Sequence, residues 1–90
     1  MNEQIINGIK RESWVATYQR VMRFAIPGSM FDYCTVLQPV DINIWREPQF
    51  SASGINSDNV ERIRLHAEAL RQAAEVMEHW SGDVGKEVDG

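Results

Sequence analysis

The chain predicts an α+β fold, a small antiparallel β-sheet of two to four strands with one long C-terminal α-helix packed on one face. Two observations carry this. Residues 14–45 hold short runs of alternating apolar and polar residues, rich in aromatic and β-branched side chains and divided by Pro and Gly. From Ser57 to Trp80 no Gly or Pro interrupts a stretch with helical periodicity. Ninety residues, 43% of them hydrophobic, make one domain with a thin core. At that size, support from a partner or from self-association is expected.

The elements follow in order. Asn7-Gly8 lies between Ile5-Ile6 and Ile9, and this dipeptide accepts the positive φ angles of a type I′ hairpin turn. A short irregular or helical start is the competing reading. Trp14 to Ile26 reads as a half-buried strand with Trp14, Ala16, Tyr18, Arg20, Met22, Phe24 and Ile26 on one side. Trp14, Tyr18, Val21, Met22 and Ala25 also fit a helical face. Pro27-Gly28-Ser29 is a turn, and Phe31 to Leu37 is a second strand. Pro39 should mark a bend or an edge, Val40 to Trp45 resumes as a strand, and Pro48 ends regular structure. Asn56, Ser57 and Asp58 offer N-caps for the helix, and Gly82 suits its C-terminal end. Residues 1–82 form the single α+β domain, and the polar, glycine-rich residues 83–90 form a flexible tail.

On a helical wheel the polar residues Glu61, Arg64, Glu68, Arg71, Gln72, Glu75, Glu78 and His79 share one arc of about 120°. Ile63, Ala67, Leu70, Ala74 and Met77 form one apolar stripe. Leu65, Ala69, Val76 and Trp80 form a second, with Ala73 between the two and Arg62 and His66 as polar intrusions. The apolar arc of about 200° is wider than one sheet needs to cover. The first stripe is expected to face the sheet. The second is covered either by the N-terminal segment or a curled sheet, or by a partner or second copy. The partner reading makes Arg62, Leu65, Ala69, Val76 and Trp80 binding residues, with Arg62 reaching a carboxylate across the interface. Trp45, Arg46 and Phe50 form a second candidate, since a Trp-Arg-Phe loop has the composition of a binding hot spot.

Several function classes lose support. A net charge of −4 gives no general attraction to nucleic acid or an anionic membrane. Lys10, Arg11, Arg20 and Arg23, with Tyr18 and Phe24 nearby, keep a single-stranded nucleic-acid patch as the alternative reading. One cysteine and two histidines supply no metal-ligand spacing, and no phosphate-binding loop is present, so no metal, cofactor or catalytic residue is expected. Cys34 reads as a core filler, and with His66 it makes the only conceivable nucleophile–base pair. His66 itself reads as a neutral core histidine, hydrogen-bonded to backbone or to Tyr18 or Tyr33, or else as a pH-sensitive contact. No apolar run reaches membrane-spanning length or matches a signal peptide, and the expected location is the cytoplasm.

Short strands followed by the single helix NSDNVERIRLHAEALRQAAEVMEHW resemble, in general layout, small accessory proteins of phages and other mobile elements, including anti-CRISPR inhibitors. The resemblance implies action by occluding a host protein surface. It assigns no residues. Together these readings predict a non-enzymatic protein-binding accessory protein, acting by steric occlusion or scaffolding on a protein partner or by self-association.

Overall fold

The computed structural model of the chain describes residues 2–28, 32–53 and 59–88. Six strands, β1 (Asn2–Ile6), β2 (Ile9–Ala16), β3 (Gln19–Ala25), β4 (Tyr33–Asp41), β5 (Ile44–Trp45) and β6 (Gln49–Ala52), precede one helix, α1 (Val60–Ser81). The first four strands form an antiparallel meander, and β5 and β6 share the outer side of β4. The fold is α+β, with more strands than the expected two to four.

The extra strands come from turns that carry no strong sequence mark. Asn7 (φ 51°) and Gly8 (φ 82°) make the expected hairpin between Ile6 and Ile9. The single strand expected over Trp14–Ile26 is instead the ends of two, since Ala16 pairs with Gln19 across Thr17-Tyr18. Neither turn residue adopts a positive φ, so neither Gly nor Asn was required there. The strand expected over Val40–Trp45 also doubles back. Ile42 (φ 51°) and Asn43 (φ 62°) form its turn, and Asp41 pairs with Ile44. A β-branched residue in the left-handed region is strained, which is why VDINIW reads as continuous strand. Pro48 does not end the sheet, because Gln49–Ala52 pairs with Cys34–Leu37. Phe50 is therefore a strand residue and not part of a loop. Phe31 and Ser29 lie outside the described residues.

Pro39 sits within β4, where the outer neighbour changes from β6 to β5. The Val40 N–H donates to the Tyr18 carbonyl on the β3 side. By the alternation of an antiparallel ladder, the missing N–H of Pro39 faces the outer side, where the chain departs as residues 46–48. The ladder is interrupted where the donor is absent.

The α1 helix runs unbroken, as expected. Asn59 caps it, its side-chain oxygen accepting from the Glu61 N–H (2.9 Å) and the Arg62 N–H (3.3 Å). The cap candidates Asn56, Ser57 and Asp58 lie outside the described residues. Gly82 closes the helix with φ −68°, so it is not the left-handed cap its position suggested. Residues 83–88 of the tail make backbone hydrogen bonds. Gly85 N–H donates to Trp45 O, Trp45 N–H to Lys86 O and Val88 N–H to Asn43 O, which lays residues 85–88 along β5.

The largest correction concerns which helix stripe meets the sheet. The core is Ile9, Phe24, Ile26, Cys34, Val36, Ala69, Ala73 and Trp80, with Met22, Leu65, Val76 and Met77 packed against it. The stripe of Leu65, Ala69, Val76 and Trp80 therefore lies on the protein's own sheet, not at an interface. Ile63 and Leu70 are exposed instead. The physical reason is polar. Gln72, expected on the solvated arc, is fully buried, and its side chain accepts from Arg11 (2.8 Å) and donates to Ile6 O (2.9 Å). That clip rolls the helix toward β1 and β2, and Ala69 and Ala73 then let its backbone approach β4.

Two measurements check this packing. Ala73→Leu should destabilise by about 1–3 kcal/mol through overpacking, while Leu70→Ala should cost about 1 kcal/mol or less. Urea denaturation giving the reverse order would place the other stripe on the sheet. Separately, Ile42→Asn should stabilise by about 1 kcal/mol by relieving the left-handed strain, seen as a raised denaturation midpoint.

Candidate functional site

The residues singled out in the sequence separate into two groups. Trp80, at the end of α1, and Trp45, in β5, face each other across the Arg20 guanidinium, which lies 4.4 Å and 4.0 Å from their ring centres. Arg20 also donates to the Gln38 side-chain oxygen and to Asp83 (2.8 Å). Gln38 is fully buried and donates in turn to Arg46 O (2.8 Å) and Trp80 O (2.9 Å). These polar groups bond to one another within the chain. Ala69 and Trp80 are buried and Leu65 and Val76 half-buried. Arg62 pairs within the chain, with Asp32 (2.5 Å), and donates to Pro27 O (3.4 Å). It anchors the start of α1 to the segment after β3 and is not held out for a partner carboxylate.

What remains exposed is a different surface. Val60, Ile63, Ala67, Leu70 and Ala74 are all exposed, and Met77 is half-buried. Their spacing alternates three and four residues, which keeps one seam along a helix. Ile63 is 46% and Leu70 39% exposed. The opposite flank of α1 is clipped to the β1–β2 turn, with Asn7 donating to Glu68 (3.4 Å) and Leu65 against Gly8. The seam consequently overhangs the β4–β6 side. Phe50 adjoins it, on the helix side of the sheet by its pairing with Val36, and it is 44% exposed. Among the described residues β6 pairs only with β4, so its other edge is open. The sequence pattern places Ile63, Ala67, Leu70, Ala74 and Met77 on one core-facing stripe; of these Met77 does pack against the core, while Ile63, Ala67, Leu70 and Ala74 are exposed. Of the earlier partner-binding candidates, only Phe50 belongs to this surface, and Arg46 is exposed near it in sequence.

Charges line one side of the seam. Arg71 bridges Glu68 (2.6 Å) and Glu75 (2.5 Å), and Arg64 reaches Glu61 (3.5 Å). Hydrogen bonds from Arg71 and then Gln72 hold the Glu68 carboxyl down to about 2. Arg20 likewise holds Asp83 below its ordinary value.

The other candidates offer no assembled chemistry. Burial pushes the Cys34 thiol up to about 11, and its Sγ lies 3.7 Å from Ala69 O. A protonated, enclosed thiol is not a nucleophile. His66 is buried with no partner at Nδ1, so the expected hydrogen bond is missing from that nitrogen. The basic residues of the N-terminal half do not form one patch. Arg11 packs over Phe24 on the helix side, Arg20 is half-buried between Trp45 and Trp80, and Lys10 is near Glu3 and Glu12. Arg23 lies on the opposite sheet face between the rings of Trp14 and Tyr33. Among the described residues no group of three or more His, Cys, Asp or Glu is placed to hold a metal, and no helix is long and apolar enough to cross a membrane. Comparison with protein-family models, with curated proteins and with solved structures finds no match.

The Asp83–Arg20 pair gives a pH test. Because the folded carboxyl titrates below its ordinary value, its stabilisation is complete at neutral pH and is lost as the pH falls through the folded value. Asp83→Asn should lower the melting temperature at neutral pH, and its curve should converge with that of the parent in strong acid. Parallel curves in thermal melts across that range would remove Asp83 from the network.

Proposed function

We propose that the protein is a non-enzymatic binding domain that occludes or scaffolds a protein surface through the exposed flank of α1 and the adjoining Phe50. The observation that carries this reading is the exposure of Ile63, Leu70 and Phe50 together on one side of the molecule. A small monomer gains nothing from leaving such side chains in water, and contiguous apolar surface marks contact sites. An aromatic beside branched aliphatic residues suits the dry centre of an interface, and Arg64, Arg71 and Glu78 supply a polar rim. The open edge of β6 adds backbone donors and acceptors that a partner strand can use. This is the kind of surface with which a small accessory protein of a mobile element, working in the cytoplasm, would block a host protein. Nucleic-acid binding is the weaker alternative, because Arg11 and Arg20 are turned toward the helix and engaged there.

The test is the double variant Ile63→Glu/Leu70→Glu. Both positions are exposed within the single chain, so circular dichroism should show the variant folded. In affinity purification from the source cells, proteins retained by the parent should be lost with the variant, and retention should be insensitive to salt. An unchanged set of retained proteins on the folded variant would refute the reading. Retention that falls steeply with salt would instead favour nucleic acid.

A further inference from the structure

We infer that the α1 flank accepts a second copy of this chain, with the two helices antiparallel and crossing at Leu70. The inference rests on the binding role proposed for that flank and names its occupant.

The seam is self-complementary only in that orientation. Written as heptads, Val60, Ala67 and Ala74 occupy one core position and Ile63, Leu70 and Met77 the other. In an antiparallel pair, residues meet when their numbers sum to about twice the crossing residue. Around Leu70 this sets Leu70 against its own copy, Ile63 against Met77, and Ala67 against Ala74. Large side chains then meet large ones on either side of the crossing. The alanine pairs between them let the backbones approach to the 8–10 Å typical of packed helices.

The charges fit the same arrangement. The flanking positions on the solvent side of the seam are Arg64, Arg71 and Glu78, and antiparallel helices oppose such positions to each other. Arg64 of each copy then faces Glu78 of the other, twice per dimer. Glu78 has no ion pair within its own chain among the described residues, and Arg64 has only the long contact to Glu61, both side chains being largely exposed. Arg71 meets its own copy near the axis, but Glu68 and Glu75 already neutralise it. A parallel pair would require the flanking positions on the other side of the seam. Those are His66, Ala73 and Trp80, which are buried on the sheet. The geometry therefore selects a two-fold axis perpendicular to the helices, the commonest symmetry of protein dimers. Phe50 extends the contact toward the sheet.

Sedimentation equilibrium on the full chain tests the inference. The parent should be a dimer, and Leu70→Glu a folded monomer. Arg64→Glu and Glu78→Arg should each weaken dimerisation by about tenfold, through lost pairs and new like-charge contacts. The double exchange Arg64→Glu/Glu78→Arg should restore it to near the parent value, which a general effect of surface charge would not do. Under mild oxidation Leu70→Cys should give a disulfide-linked dimer, and Ile63→Cys should not, since only position 70 meets its own copy. Cys34 is buried and does not compete. A monomeric parent, failure of the double exchange to rescue, or equal cross-linking at both cysteines would overturn the inference. If the parent is monomeric yet Ile63→Glu/Leu70→Glu loses its retained proteins, the binding role stands and only the second copy is refuted.

Discussion

The orientation of α1 depends on one half-buried cation, Arg20. Arg20 projects from β3 into the space between the helix end and the sheet, where an unpaired charge would be severely destabilising. It is tolerated because its partners lie within the chain and part of it still reaches solvent. Two indole rings cover its faces, and Gln38 and Asp83 accept from its edge. Gln38 passes the interaction on by donating to Trp80 O, one of the helix-terminal carbonyls that lack an intrahelical partner. A single cluster thereby ties β3, β4, β5, the helix end and the tail together.

At the other flank, Gln72 and Arg11 do the same work nearer the middle of the helix. Polar contacts thus determine the helix roll, and burial of Ala69 and Ala73 follows from it. The consequence for function is direct. A helix with apolar residues over more than half its circumference can bury only part of that arc on one sheet. Once Arg20 and Gln72 select the alanine side, Ile63 and Leu70 are left facing water.

Much of the fold was legible in the chain. Asn7-Gly8 announces its hairpin because few other dipeptides accept two positive φ angles, and the long helix is unmistakable from its periodicity. Thr17-Tyr18 was not legible because neither is a strong turn former, and Ile42-Asn43 was not because the β-branched Ile42 disfavours the left-handed region that Asn43 accepts. The helix roll was misread for a different reason. A wheel ranks Gln72 as solvated and Leu70 as buried, and leaves Arg62 as an unexplained intrusion in the apolar arc, because it scores side chains singly. The contacts that reverse the ranking join Arg11 to Gln72 and Asp32 to Arg62, pairs far apart in sequence. The seam itself was visible all along as alternating spacings of three and four. That pattern also describes a core-facing helix, so spacing without burial cannot separate the two.

The exposed seam alternates large side chains with alanines. Two of its positions facing the flank are alanines, which add little hydrophobic surface to a monomer while allowing close approach by another helix. Against water they limit the apolar patch and its tendency to aggregate. Against a partner helix they become the points of nearest contact, and the larger Ile63, Leu70 and Met77 interdigitate around them. A surface that is modest in isolation and complementary in contact is what a small domain with a thin core requires, because it can gain stability from association without first losing solubility.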